Sequence, residues 1–471
     1  MPFADEPGMA ARAAIVDARH EPLWLADPAR PDPRPRLEGD TDTDLLVVGG
    51  GFSGLWTALR AKERNPELDV VLVEGGVLAH AASGRNGGFV AASICHGAVN
   101  GIERWPDEYA TLHRFGLDNL RGIEETINRY RIDCDYRRSG EFDVACEDYQ
   151  VGHLREVQSM LAEYGIEHRV LDAHEIQAEV ASPLYRGAIS DPDVGTVNPA
   201  RLAWGLATAA ESLGVRVFER TVVTDVSRDG AELRAVTPAG VVRAHRIALA
   251  TAAHTPLLRR LRNYVVPVFD HVVATAPLPE QVLDAIGWRG RQGIGDSGNQ
   301  FHYYRLTSDN RILWGGYDAV YAAGERPGSQ LERDDFLSAR LVQHLHDTFP
   351  AVREVPIEFS WAGAIDTCSR FSAFWGQAYS GQLTYGLGYT GLGVGASRFG
   401  ADVMLDLIEG VDSERRALRM VRTKPVPFPP EPIRTLGINI TRASLAKADR
   451  NQGQRNLWLK MLDRLGLGFD S

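Results

Sequence analysis

The sequence predicts an α/β protein with two domains, and three observations support this. Its 471 residues are more than one compact core ordinarily organises. Strand-like and helix-like stretches alternate between two Pro-rich segments, as in a mixed α/β chain. Near the start, a short apolar run, Asp44-Leu-Leu-Val-Val-Gly49, leads without a break into Gly49-Gly-Gly51-Phe-Ser-Gly54. That is G-x-G-x-x-G at a strand-to-helix junction, the sign of a Rossmann-type parallel sheet.

Each piece of this opening unit has a physical reason. Gly49 permits the tight turn, Gly51 lets backbone approach a pyrophosphate, and Gly54 lets the helix pack close to the strand. Phe52 and Ser53 open the helix, whose N-terminus offers unpaired N–H groups and partial positive charge to phosphates. Leu55, Ala58 and Leu59 then recur at helical spacing. A second apolar strand, Asp69–Glu74, ends in an acid 20 residues past Gly54. Glu74 is placed to accept hydrogen bonds from both hydroxyls of a ribose, and its charge disfavours a 2′-phosphate. A dinucleotide is expected, and NAD and FAD share this fingerprint.

The next loop discriminates between them. Ala82-Ser-Gly-Arg-Asn-Gly-Gly88 carries almost no side-chain bulk. A flavin ring tuned by backbone N–H groups needs such a loop beneath it, because bulky side chains would hold the ring away. Ser83, Gly84, Asn86 and Gly87 are therefore expected to line FAD, and Arg85 to contact phosphate, flavin or substrate.

Composition excludes several other classes. The chain is 44% apolar and 24% charged, with a net charge of −11, which argues against nucleic acid as a partner. No apolar run approaches the roughly 20 residues of a membrane span. The N-terminus shows no apolar stretch of the secretory kind. Cys95, Cys134, Cys146 and Cys368 are scattered without a C-x-x-C, so neither metal nor disulfides are expected and a cytoplasmic setting is. Residues 27–41, with four prolines, close an N-terminal arm (1–42). A second Pro-rich stretch, Lys424–Pro432, leads a C-terminal segment (411–471) across the surface. Leu457, Leu459, Leu462 and Leu465 give that segment a partly amphipathic helix, expected to pack on its own chain.

Taken together, VVGGGFSGLWTAL, VVLVE and ASGRNGG resemble the D-amino-acid-oxidase superfamily of flavoproteins, and within it the gamma-glutamylputrescine oxidases and aminophosphonate oxidoreductases. Further stretches resemble family segments in the family's order, over about residues 43 to 410. Asp191–Leu202 resembles the lead into a long helix. Val215–Val223 resembles the strand whose backbone, at Val223, borders the adenine. Arg246–Ala252 resembles a strand and turn that usually reads Ala-Thr-Gly; here Thr251 is followed by Ala252. Gly386–Val394 resembles the segment beneath the flavin's pyrimidine end, with Gly388, Thr390, Gly391, Leu392 and Gly393, where relatives often carry His in place of Leu392.

The resemblance implies a discontinuous FAD-binding domain (43–100, 190–255 and 355–410). It also implies a substrate domain on an antiparallel sheet (101–189 and 256–354), with strands such as Val265–Ala276 and Asn310–Trp314. It implies oxidation of a C–N bond of a small-molecule amine or amino-acid-like substrate to an imine, with hydride passing to flavin N5 and reoxidation by oxygen or another acceptor. Substrate-facing candidates are His271, Tyr303, Arg305 and Trp361. His271 orients an amine, acts as a base or is a structural histidine, and Arg305 is a partner of a substrate carboxylate or phosphonate or one half of a salt bridge. Tyr303 and Tyr304 face opposite ways, so only one meets the flavin. Asp366 is either a cation partner or a loop acid. Trp361 stands where sarcosine-oxidase-like relatives carry the cysteine that links the flavin, which implies non-covalent FAD. The strand Arg311–Gly316 has no lysine where those relatives have one. Two alternatives stay open: an NAD-dependent dehydrogenase, and a non-catalytic flavin-binding subunit of a larger complex.

Overall fold

The computed structural model describes residues 3–324 and 330–467. The first sheet grows from Thr41–Val48, whose apolar half is buried on both faces. It lies between two parallel neighbours, Val70–Val73 and Gly240–Leu249. Arg216–Phe218 extends the sheet on one side; Leu383–Leu387 and the antiparallel Phe374–Ala378 extend it on the other. Parallel neighbours require crossovers, and the fingerprint helix Phe52–Arg64 makes the first of them. It packs against helices Pro199–Ser212 and Gly393–Glu409 on one face of the sheet. An antiparallel meander, Asp225–Asp229 with Glu232–Thr237, closes the other through Val226, Leu233 and Ala235.

The second sheet has eight strands in the order Ile357–Thr367, Val266–Thr275, Ile312–Gly316, His302–Leu306, Gly293–Asp296, Glu141–Ala145, Gly187–Asp191 and Arg169–Asp172. All neighbours are antiparallel except Gly293–Asp296 beside Glu141–Ala145. Ile357–Thr367 had been expected within the 355–410 stretch of the FAD-binding part. It pairs along its length with Val266–Thr275 instead, because its backbone groups find their partners there. The strand expected at Asn310–Trp314 runs over Ile312–Gly316.

Strand alternation gives this second sheet two distinct faces. Val273 and Ser360 stand opposite each other on the far face, where Ser360 Oγ meets Ser338 Oγ of helix Asp335–Thr348 at 2.8 Å. The near face carries Trp361, Val272, Gly315 and Tyr303 in one cross-strand row and is turned toward the first sheet's loops.

The N-terminal arm belongs to the fold. Helix Met9–Ala14 packs on Asp335–Thr348, Trp24 is buried, and Leu37 N–H donates to Thr221 Oγ1 at 3.0 Å. At the other end, helix Leu457–Arg464 packs on helix Ile433–Arg450, with Leu459 buried while Leu457 and Leu465 are exposed. Among the described residues no helix is long and apolar enough to cross a membrane, and no group of side chains has the makings of a metal site.

Candidate active site

Space dictates the glycines of the fingerprint. Gly49 has φ +115°, and a Cβ there would overlap the Ala250 carbonyl. A Cβ on Gly54 would overlap the Gly49 carbonyl and stand 3.3 Å from Val47. One on Gly51 would stand 2.9 Å from Ser83 Oγ. The turn is clamped from both neighbouring strands: Gly49 N–H donates to Val73 O, and Ala250 N–H to Val48 O, each at 2.8 Å.

Glu74 also serves this turn. Its buried carboxylate accepts Gly50 N–H at 2.6 Å on one oxygen and Gly76 N–H at 2.7 Å on the other. Each oxygen keeps a further acceptor position, so the protein bonds leave the carboxylate able to meet a ribose. Thr221 N–H donates to Glu74 O and Arg220 N–H to Gly76 O, both at 2.7 Å, which brings half-buried Val223 to the same end of the sheet. The sequence reading passed over a second acid, Glu219, which is buried and accepts the amides of Leu78 and Arg34. Its place directly after a strand's last apolar residue, Phe218, was the available signal.

The Gly/Ser loop is braced from within. Asn86 Nδ2 donates to Ala82 O at 2.9 Å and Ser83 O at 3.1 Å, and Asn86 Oδ1 accepts Gly88 N–H at 2.8 Å. Ser83 Oγ accepts Phe52 N–H at 2.9 Å, capping the fingerprint helix from another segment because Gly51 at its N-cap has no side chain. Phe52's own side chain is buried in the core. Trp24 of the arm donates its indole N–H to Asn86 O at 2.8 Å. A Cβ on Gly84 would overlap Ala79 O, and one on Gly87 would stand 2.7 Å from the Tyr303 ring. Arg85 turns to protein: Nε donates to His80 O at 2.8 Å, and Nη1 lies 2.9 Å from both Ala362 O and Glu332 Oε2.

The C-terminal Gly-rich segment meets the fingerprint where Tyr389 OH and Ser53 Oγ lie 3.2 Å apart. Gly388 and Gly391 have positive φ, and so does Thr390 at +48°, a costly conformation for a β-branched residue. Hydrogen bonds hold it there: Thr390 Oγ1 accepts Cys368 N–H at 3.2 Å and donates to Gly388 O at 3.0 Å. Asp366 is neither a cation partner nor a loop acid: it lies near the end of strand Ile357–Thr367, its carboxylate accepts the amides of Gly388 at 2.7 Å and Tyr389 at 3.3 Å, and burial pushes its pKa up to about 6. Leu392 and Gly393 open helix Gly393–Glu409. Beside Gly49, Thr251 and Ala252 form the turn after Gly240–Leu249, with Ala252 at φ +44°; the family's usual glycine would adopt this φ without strain.

These segments fit FAD. A Cβ on Gly391 would meet nothing within 4 Å, leaving open space before a helix N-terminus. The first-turn amides of the fingerprint helix not used by Ser83 point to the same end of the sheet.

The second sheet sorts the substrate-facing candidates. His271 pairs with Ala362 on the far face, toward helix Asp335–Thr348, where burial lowers its pKa; it is not brought to the loop. Arg305 is on the near face but tucked beneath the loop. It is 4% exposed, donates to Gly87 O and Val197 O, and lies 5.0 Å from the Trp24 ring; burial lowers its pKa to about 9. Trp361 also supports the loop, with Nε1–H donating to Arg85 O at 2.9 Å. Tyr303 faces the loop, edge-on to Phe89 at 5.9 Å, while Tyr304 stacks on Trp314 at 4.0 Å on the far side. The Tyr303 hydroxyl donates to Asp270, a residue the sequence reading passed over for its neighbour His271. Period-two alternation separates those neighbours, but sequence alone does not say which of them faces the cofactor.

The chain is similar to known proteins over most of its length. The profile described as FAD dependent oxidoreductase matches residues 44–407. Gamma-glutamylputrescine oxidoreductase of Escherichia coli (strain K12) is 34% identical over 379 residues, covering 79% of this chain and 84% of that protein. Sarcosine oxidase subunit beta of Arthrobacter sp. is 22% identical, covering 75% of this chain and 82% of that one. Among solved structures, glycine oxidase from Geobacillus kaustophilus aligns with a TM-score of 0.69 at 20% identity, over 82% of this chain and 100% of that chain.

Proposed function

We propose that this chain, which belongs to the FAD dependent oxidoreductase family, oxidises the C–N bond of a small amine or amino-acid-like molecule to an imine that water then hydrolyses. One observation carries the reading. The Gly/Ser loop joins the phosphate-binding helix through Ser83 and Phe52 and also rests on the near face of the second sheet through Gly87 and Tyr303. A ring anchored at the first sheet would thus lie beside that face.

In this reading Gly49–Gly54 and Glu74 hold the pyrophosphate and ribose, Val223 borders the adenine, and Ser83–Gly87 with Gly388–Gly393 line the ring. FAD, when bound, supplies the acceptor for a hydride from the substrate carbon. The chain's own work is to position and desolvate the amine against the ring, with Tyr303 at that face and Trp361 and Arg305 fixing the loop. Thr390, held in its strained conformation, fixes the amides around Gly388.

FAD is held non-covalently: Trp361 occupies the linking position, and the Cys368 thiol is buried, with its pKa raised by desolvation, so it is a poor nucleophile. Four free, buried cysteines suit a reducing cytoplasm. The relative named for gamma-glutamylputrescine favours amines over NAD-linked alcohols as the class to try first. The test is an anaerobic screen of primary, secondary and carboxylate-bearing amines against the purified yellow protein. Bleaching of the flavin by at least one amine is expected; a flavin that no amine reduces would refute the reading.

A further inference from the structure

We propose that the Asp270 carboxylate, held by the Tyr303 hydroxyl, binds the ammonium group of the substrate and takes its proton. The proposal rests on the reading above and narrows it: the substrate is a primary or secondary amine recognised through its nitrogen, with no need of an α-carboxylate.

The placement comes from the register of the second sheet. Asp270 lies on the same face as Val272, two residues on, and directly across from Gly363. A Cβ on Gly363 would stand 3.2 Å from Arg85 Cβ, so this position abuts the Gly/Ser loop. Tyr303 reaches Asp270 from two strands away, with its ring against Gly87. Gly315 keeps room at the hydroxyl, since a Cβ there would stand 2.6 Å from Tyr303 Oη. Asp270 and Tyr303 are both half-buried rather than sealed.

The charge is unbalanced. Asp270 is supported by the Tyr303 hydroxyl and the Gly316 amide, and among the described residues no cation acts on it. A partly desolvated carboxylate lacking a cation is a poor arrangement unless a ligand completes it. Arg305, the near-face arginine that would otherwise suit a substrate carboxylate, is given to Gly87 O and Val197 O. The step itself is simple. An N–H bond of the ammonium breaks, an O–H bond forms on Asp270, and the neutral amine keeps the electron pair it needs to form C=N. Burial places the Asp270 pKa at about 6, in the range where accepting a proton is reversible.

Among the neighbouring charged groups, Arg85 is held by Glu332, His271 points to the opposite face, and Asp318 is paired with Arg340 and Arg442. Among the described residues, Tyr303 is therefore the side chain that governs Asp270.

The test uses the holoenzyme and tert-butylammonium, a probe with no C–H on the nitrogen-bearing carbon, so that it binds without being oxidised. Calorimetric affinity should rise about tenfold from about pH 5 to about pH 7, as a carboxylate with a pKa near 6 ionises. Asp270→Asn should weaken binding at pH 7 about tenfold or more and flatten the profile. Tyr303→Phe removes a bond to the charged form, so its midpoint should move to higher pH. A flat wild-type profile, or Asp270→Asn binding as tightly as wild type, would overturn the proposal, and the wild-type measurement stands even if the variant fails to fold. The two readings fail separately. Amine-driven bleaching in an enzyme with a flat binding profile removes the Asp270 role alone. Probe binding that follows the profile in an enzyme no amine can bleach removes the oxidation alone.

Discussion

Gly54 and Gly51 are separated by two residues yet should fail in different ways. A methyl group on Gly54 would overlap the Gly49 carbonyl, and backbone cannot move aside, so Gly54→Ala should cost about 1–3 kcal/mol and lower the urea midpoint. A Cβ on Gly51 would stand 2.9 Å from Ser83 Oγ, a side-chain atom that can give way at the cost of its bond to Phe52 N–H. Gly51→Val should therefore keep its fold by circular dichroism and lose its FAD; stoichiometric flavin in that variant would contradict the role given to the turn. Sequence order alone pointed to the close packing now seen at Gly49 and Gly54, because the steric demand of a strand–turn–helix junction is local. It did not reveal that Arg85 turns to Ala362 and Glu332, or that Asp270 rather than His271 faces the loop. Both depend on partners more than two hundred residues or a whole strand away, and on register.

Between elements, the joint that matters most is Ser83 Oγ on Phe52 N–H. It couples the fingerprint helix to the Gly/Ser loop, and it does the work of an N-cap. Ser83→Ala should cost about 1 kcal/mol of stability and weaken FAD binding, whereas Ser83→Thr should retain most of both; an FAD titration followed by flavin fluorescence checks it. If Ser83→Ala bound FAD like wild type, the two elements would be independent. The strand pattern told of a mixed α/β chain, and the resemblance implied the second, antiparallel sheet. The resemblance placed 355–410 with the FAD-binding part, yet Ile357–Thr367 pairs with Val266–Thr275, because a long apolar strand has no mark of which neighbour it pairs with. Likewise Trp24 lies in what reads as an N-terminal arm, and only the folded chain shows it hydrogen-bonded to Asn86 and stacked near Arg305.

For the molecule as a whole, non-covalent flavin means that heat or acid should release the yellow colour into the supernatant; a yellow pellet above a colourless solution would show a covalent link. The fate of the electrons follows from the second sheet. Its Ile312–Gly316 strand has no lysine, and Arg311 at its edge is paired with Asp309 and Glu358, so no fixed cation of that strand favours superoxide beside the ring. Reoxidation by air should be slower than by a dye acceptor, and stoichiometric peroxide formed at the rate of turnover would reverse that expectation. The central claim, that an amine's C–H hydrogen leaves as hydride toward FAD bound between the two sheets, is tested most directly by anaerobic stopped-flow. The enzyme is mixed with an amine that bleaches it, unlabelled or deuterated at the carbon bearing nitrogen. The account predicts that the deuterated amine reduces the flavin several-fold more slowly and that one carbonyl product forms per flavin reduced. Equal rates without carbonyl product, or a flavin that stays oxidised, would contradict it.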